Sequence, residues 1–341
     1  MRKTLTLFII LITSISMNAQ KYDSSQDSIK AFYDQLFLNL KQGFIKKDSV
    51  NWEVIENETN LNLATYNNFE NSLNEVEPLF SKIDATHCSI YYKDTIYSVP
   101  KKISPESYSN QWKMKYASKP SFEVKIIQGK FGYILIPSIN FLDLKSKNVN
   151  KIAQSLYDQV AEIKTGNELE GWIIDLRFNT GGNSWPMLLA LYDFLGDNNV
   201  SGTLDGDKKL IGMKSLSKGK YLVDSKKQYQ IAPKGELMDN IKVAVITGVV
   251  TASSGEIVAM AFKGRPNTIF IGENSLGYTS ENYRSILPFD ITMTLTRTYN
   301  SDRNGIYYER IIPDIITSKQ DNFDNYLLDG NIQEAIKFIT N

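Results

Sequence analysis

The stretch VAVITGVVTASSGEIVAMAF, residues 243–262, decides the fold. Residues 243–250 are an apolar, β-branched run that reads as a buried strand, and residues 253–262 place apolar side chains at helical spacing. A strand passing into a helix through a short turn is the unit from which parallel sheets are built. Thr251, Ala252, Ser253, Ser254 and Gly255 stand at the junction. One reading of the serines is structural: Ser253 with Glu256 three residues on forms a capping box, in which the carboxylate reaches back to the cap amide. The other is chemical: a hydroxyl here lies at the positive end of the helix dipole, where free N–H groups would stabilise a developing oxyanion.

Working outward, the spacing in IKAFYDQLFLNLKQGFI and NFENSLNEVEPLFSKI predicts a small helical domain over 20–83, packed through Phe32, Leu36, Leu40, Trp52 and Phe80. Short strands begin at Ser89. KFGYILIPSINF (130–141) and GWIIDLRFN (171–179) read as strands, and 148–164 and 184–195 as helices. Strands alternating with helices predict an α/β domain over 84–320 with a largely parallel sheet. The polar segment rich in lysine and glycine at about 200–236 reads as an inserted loop or hairpin, and 321–341 as a C-terminal helix. The glycines at 202, 206 and 212 open no helix, so there is no P-loop or dinucleotide fingerprint. A Ser-x-x-Lys match at 215–218 lies in the polar insertion without companion motifs and reads as chance.

The opening MRKTLTLFIILITSISMNAQ has Arg2 and Lys3, an apolar run to Ile15, and small or polar residues to Ala19. It predicts a secretory signal over 1–19, too short and too abruptly ended for a membrane span. Met17 fits imperfectly before the cut, and no cysteine follows to carry a lipid. The expected product is an exported protein, periplasmic or extracellular. Its 322 residues would carry 36 basic and 38 acidic side chains. A net charge near −2 gives no reason to expect nucleic acid or an acidic membrane surface as partner. Cys88 is the sole cysteine, so no internal disulfide is possible. With His87 the sole histidine, no clustered zinc-type site can be built, and no cofactor is expected.

In GWIIDLRFNTGGNSWPML (171–188) a buried strand ends in Asp175 and Arg177. Asn179, Thr180, Gly181 and Gly182 then turn into a helix with Trp185 and Pro186 in its first turn. Adjacent glycines let a backbone N–H approach a ligand where a Cβ would clash, although a plain tight turn looks the same. Taken together, DLRFNTGG, TASSGEIVAMAF with GRPNTIFIGENSLG, and the closing IIPD at 311–314 resemble the serine peptidases of the C-terminal processing, or tail-specific, family. That family includes the tricorn core protease and the repeated modules of the interphotoreceptor retinoid-binding protein. The motifs stand in the family's order over roughly 132–316, and the helical leader with Trp52 and DATHCSI resembles that of the shorter members.

The resemblance implies an α/β fold of the crotonase-like (ClpP/crotonase) type. It places the nucleophile at Ser253 and the oxyanion donors at the backbone N–H groups of Gly182 and Ser254. The departure is the base: the lysine of tail-specific members, twenty-five positions after the nucleophile, is Tyr278 here, and no lysine or arginine lies between Arg265 and Arg284. A tyrosine with pKa near 10 is only about 0.1% ionised at pH 7. Tricorn-like members use a histidine just after a hydroxyl residue in the leader region. His87, after Thr86, fits that place, and its ordinary pKa near 6.5 suits a general base. A partly buried structural histidine is the alternative. Cys88 reads as a small core residue, since adjacent side chains on a strand point to opposite faces.

A third residue orienting His87 is harder to name. The family's glutamate position falls on Tyr307, with Glu309 two residues on and sharing its face in a strand. Glu309 is the candidate, against a plain surface charge; Glu273 has a similar claim, and Asp84 stands one residue further from the histidine than in many relatives. Trp185 and Tyr278 are candidates for lining the cleft, as is Thr86. The interval 93–130 is too short for a peptide-binding PDZ domain. Two functions follow: an exported serine peptidase acting on peptide or protein substrates, or a non-catalytic member whose cleft binds a peptide or small apolar ligand.

Overall fold

The computed structural model describes residues 24–341; the predicted signal over 1–19 lies outside the described residues. Four helices come first: α1 (Ser25–Gly43), α2 (Trp52–Leu63), α3 (Phe69–Ser72) and α4 (Val76–Lys82). α1 starts where the Ser24 hydroxyl accepts from the Asp27 amide, and buries Ile29, Phe32, Tyr33, Leu36, Phe37 and Leu40 along one stripe. Trp52 is half-buried at the rim of this core and donates Nε1–H to the Lys47 carbonyl at 2.9 Å.

Next come β1 (Ser89–Tyr92), β2 (Thr95–Ser98), α5 (Asn110–Ala117), β3 (Glu123–Ile127), β4 (Phe131–Leu135), α6 (Ser146–Thr165) and β5 (Gly171–Asp175). The helix expected over 184–195 is split into α7 (Ser184–Ala190) and α8 (Tyr192–Leu195). The segment read as an insertion is regular structure: β6 (Asn199–Leu204), β7 (Leu210–Ser217), β8 (Lys220–Val223) and β9 (Lys226–Gln230) form an antiparallel meander. Its irregular burial hides the strand signal, since β7 exposes Leu210 and Ile211 while burying Lys214, and β9 is largely exposed. The chain closes with β10 (Lys242–Thr247), α9 (Ser254–Phe262), β11 (Thr268–Gly272), β12 (Ser280–Leu287), β13 (Ile291–Ser301), β14 (Ile315–Ile316) and α10 (Gly330–Thr340).

These strands make two sheets. The six-stranded one runs β14-β11-β10-β5-β4-β3, parallel except for the β3 edge. β4, β5 and β10 are buried on both faces, as their continuous apolar runs require. The other runs β2-β1-β13-β6-β7-β8-β9, with β12 also paired to β13. The helical leader is not a separate core: Ile29, Phe32 and Phe80 pack with Leu287, Ile291, Met293 and Leu295 of the second sheet. At the far end, the buried Arg177 pairs with Asp175, Asp321 and Asp329 at 2.6, 2.7 and 2.7 Å, tying β5 to the cap of α10. No helix among the described residues is long and apolar enough to cross a membrane.

Candidate active site

β4, β5 and β10 end side by side, and the turns beyond them are stitched together. Thr251 Oγ1 donates to Leu176 O at 2.8 Å, and Ala252 N donates to Asn179 O at 3.0 Å. Asn179 in turn caps the Gly181 amide through Oδ1 at 3.1 Å. A crevice at the carboxyl ends of parallel strands is where open α/β sheets bind ligands.

Ser253 stands in this crevice as the N-cap of α9, part-exposed, with φ 51° and ψ −116°. The capping box is present, and its carboxylate arm runs from Ser253 N to Glu256 Oε2 at 3.0 Å. Capping does not require that backbone: Ser24 and Ser109 cap their helices from φ −144° and −68°. A non-glycine residue held in a sparsely populated region costs about 1–3 kcal/mol and persists only where its surroundings impose it.

Gly181 and Gly182, with φ 126° and 108°, use the left-handed side of conformational space that glycine reaches without cost. A Cβ on Gly181 would sit 3.0 Å from Ser253 Cβ, and one on Gly182 would sit 2.3 Å from Ile139 O. Ser254 Oγ donates to Gly182 O at 2.5 Å, fixing the two predicted oxyanion residues to each other. Among the described residues, no protein acceptor takes the amide N–H of Gly182 or Ser254.

Glu256 does more than cap. Its carboxylate, fully buried, also accepts from Ser275 Oγ, from Gly277 N at 2.8 Å and from Tyr278 N at 2.6 Å. Burial raises its pKa and these hydrogen bonds oppose the rise. One carboxylate therefore holds both the Ser253 turn and the turn carrying Tyr278.

Tyr278 stacks on His87, ring centroids 4.6 Å apart and 7° from parallel. His87 lies in a turn before β1 rather than on a strand, and Asn282 Nδ2 fixes its carbonyl at 2.7 Å. Its Nδ1 meets Ser280 Oγ at 2.8 Å. Ser280, not Glu309, is thus the partner of the ring; the Glu309 carboxylate lines the same cavity of about 300 Å³ together with Thr86. Ser280 went unread because a serine two places after Tyr278 carries no signal until the β12 strand turns it toward residue 87. Burial and the positive charge of Lys101 push His87 down to about 4.

Trp185 departs from expectation: it packs against Tyr229 of the meander at 5.2 Å and belongs to the main core, and it does not line the His87 cavity. Cys88 is fully buried with Sγ against Thr296, a core residue as predicted, although no strand alternation places it there. Asp84 pairs with Lys46, and Glu273 accepts from Ser318 Oγ, so neither orients the imidazole.

The family model for peptidase family S41 matches residues 130–317, a span that holds Gly182, Ser253, Tyr278 and Glu309 but not His87. A nisin-resistance protein of Lactococcus lactis subsp. lactis is 29% identical over 270 residues, covering 73% of this chain and 78% of that one. A lipoprotein from Streptococcus agalactiae shares the fold with a TM-score of 0.67 and 22% identity, over 98% of this chain and 99% of that one. A structure from Parabacteroides merdae does so with a TM-score of 0.62 and 14% identity, over 94% and 98%. The family model spans more than half of the chain, from the β4 strand to β14, and the chain belongs to peptidase family S41.

Proposed function

We propose that this chain is an exported serine peptidase that cleaves peptide bonds through an acyl-enzyme, with Ser253 as nucleophile and His87 as general base. The observation that carries the reading is the strained backbone of Ser253 at the mouth of α9, which capping leaves unexplained. Ser253 Oγ attacks the scissile carbonyl carbon while its proton passes to the imidazole. The amides of Gly182 and Ser254 receive the oxyanion, a type of contact worth about 3–4 kcal/mol per donor in the transition state. The protonated imidazole then gives its proton to the leaving amine, and water repeats the sequence to release the acid. The reaction requires the tautomer in which Nδ1–H donates to Ser280 Oγ, which leaves Nε2 to accept the proton.

Because His87 is held down to about 4, the ring is neutral through the mildly acidic range. The acid limb of activity is therefore expected near pH 4, well below that of an unperturbed histidine. The test is intact-mass analysis after a fluorophosphonate probe on wild type, Ser253→Ala and His87→Ala, followed by a peptide library that includes nisin, for which the Lactococcus relative is named. A single adduct that is absent in Ser253→Ala and slowed in His87→Ala supports the reading. No adduct at any pH overturns it. Tyr278 at the lysine position favours a second reading, a cleft that binds peptide without turnover. Peptide binding that survives Ser253→Ala, with no hydrolysis by wild type, would establish that instead.

A further inference from the structure

Lys101 lies between β2 and α5, in a stretch with no motif. Its backbone N–H donates to Tyr278 Oη at 2.6 Å. Its ammonium donates to Gly277 O at 2.6 Å and to Leu276 O at 3.3 Å, and lies 5.0 Å from the centroid of the Tyr278 ring. No carboxylate of the described residues stands within ion-pair distance of it. Lys101 therefore grips, through backbone and side chain together, the aromatic residue whose ring carries the imidazole.

We propose that Lys101 is a positioning residue for His87: it fixes Tyr278 as the platform for the ring and brings a positive charge into the cavity that the imidazole lines. Its catalytic consequence rests on the reaction proposed above; its effect on the ring does not. In this arrangement the cation arrives from the β2–α5 connection instead of from the position after the nucleophile, and it acts through the histidine. Burial lowers the Lys101 pKa and Glu256 opposes the change.

Other charged groups also line this cavity. From the leader side Lys46 is neutralised by Asp84. β12 contributes the neutral Ser280, and β13 contributes Tyr299. The turn after β6 brings Lys208, whose ammonium lies 4.3 Å from the Tyr307 ring. The approach to β14 brings Tyr307 and Glu309, whose opposite charge would raise the imidazole pKa and not lower it.

His87 is the sole histidine, so its C2 proton can be titrated by NMR in the intact protein without assignment. Wild type is expected to titrate near 4. Lys101→Gln, which keeps a donor for the Gly277 carbonyl but no charge, and Lys101→Met are both expected to move the midpoint upward. Lys101→Arg is expected to stay with wild type. The acid limb of probe labelling should move to higher pH with the midpoint, a change that simple loss of structure would not produce. A midpoint in folded Lys101→Gln that coincides with wild type overturns the proposal even if the probe still labels Ser253. If no variant labels but the midpoint moves in folded Lys101→Gln and not in Lys101→Arg, the peptidase reading fails and the role of Lys101 stands.

Discussion

The two halves of the site are built by different means. The half proposed to hold the nucleophile is a product of the parallel sheet: Ser253, Ser254 and Gly182 sit on turns a few residues beyond β10 and β5, and are joined by backbone-directed bonds such as Ala252 N to Asn179 O. The base half is a product of the antiparallel sheet and the leader. His87 is positioned by Ser280, Asn282 and Tyr278, nearly two hundred residues along the chain, and Tyr278 by Lys101. Glu256 is the bridge between the halves. Each residue of the first half follows its own strand within a few positions, whereas the second half is assembled from segments nearly two hundred residues apart.

The largest expected effect breaks the first half alone. Ser253→Ala should abolish peptide hydrolysis, a loss of at least about a thousandfold in kcat, while the NMR titration of His87 stays in place. Next comes the bridge. Glu256→Ala leaves buried donors from both turns unpaired, and should cost about 3 kcal/mol in a denaturant titration together with most of the activity; a folded, fully active variant would show that the halves do not depend on it.

The third prediction isolates the base half. An imidazole held near 4 in the fold and 6.5 in the unfolded chain makes the unfolded state bind more protons between those values. His87 therefore contributes stability that is complete above pH 6.5 and is lost as pH falls toward 4, by up to about 3 kcal/mol. The wild-type minus His87→Gln difference in unfolding free energy should shrink over that window. A difference that does not change with pH would mean the ring is not held neutral. The smallest effect sharpens the account of strain: Ser253→Gly relieves the φ 51° backbone and should stabilise the inactive protein by about 1 kcal/mol relative to Ser253→Ala. Gly182→Ala is a poorer probe than its predicted role suggests, since the added Cβ meets the Ile139 carbonyl at 2.3 Å and disturbs the turn as well as the amide.

The same division explains what was legible. Apolar runs and glycine turns are local, so the β5 and β10 strands and α9 could be read directly, whereas the pairing of Ser253 with Gly182 came only from the family resemblance. Glu256 was legible only as a cap, because sequence spacing reveals its bond to Ser253 but not those to Gly277 and Tyr278. The third residue could not be found by searching for a carboxylate: the ring meets a hydroxyl, Ser280, and the Glu309 position is shared only with the cavity wall. The β6–β9 meander was legible only as a loop or hairpin because its strands do not alternate cleanly, with Leu210 and Ile211 exposed and Lys214 buried on β7 and both lysines of β9 exposed; Trp185, read as a cleft residue, packs against Tyr229 of that meander.

The core shared by α1 and β13 also sets an order of events. Leader residues such as Phe32 and Ile29 are made first, yet the residues they pack on, Ile291 to Leu295, are among the last. Contacts between chain ends form slowly because the loop between them must close first. Until β12 and β13 dock, His87 lacks Ser280 and Asn282, and Cys88 lacks Thr296. A chain in which β12 and β13 have not yet docked therefore lacks the contacts that hold the His87 ring, even where the turn carrying Ser253 has formed.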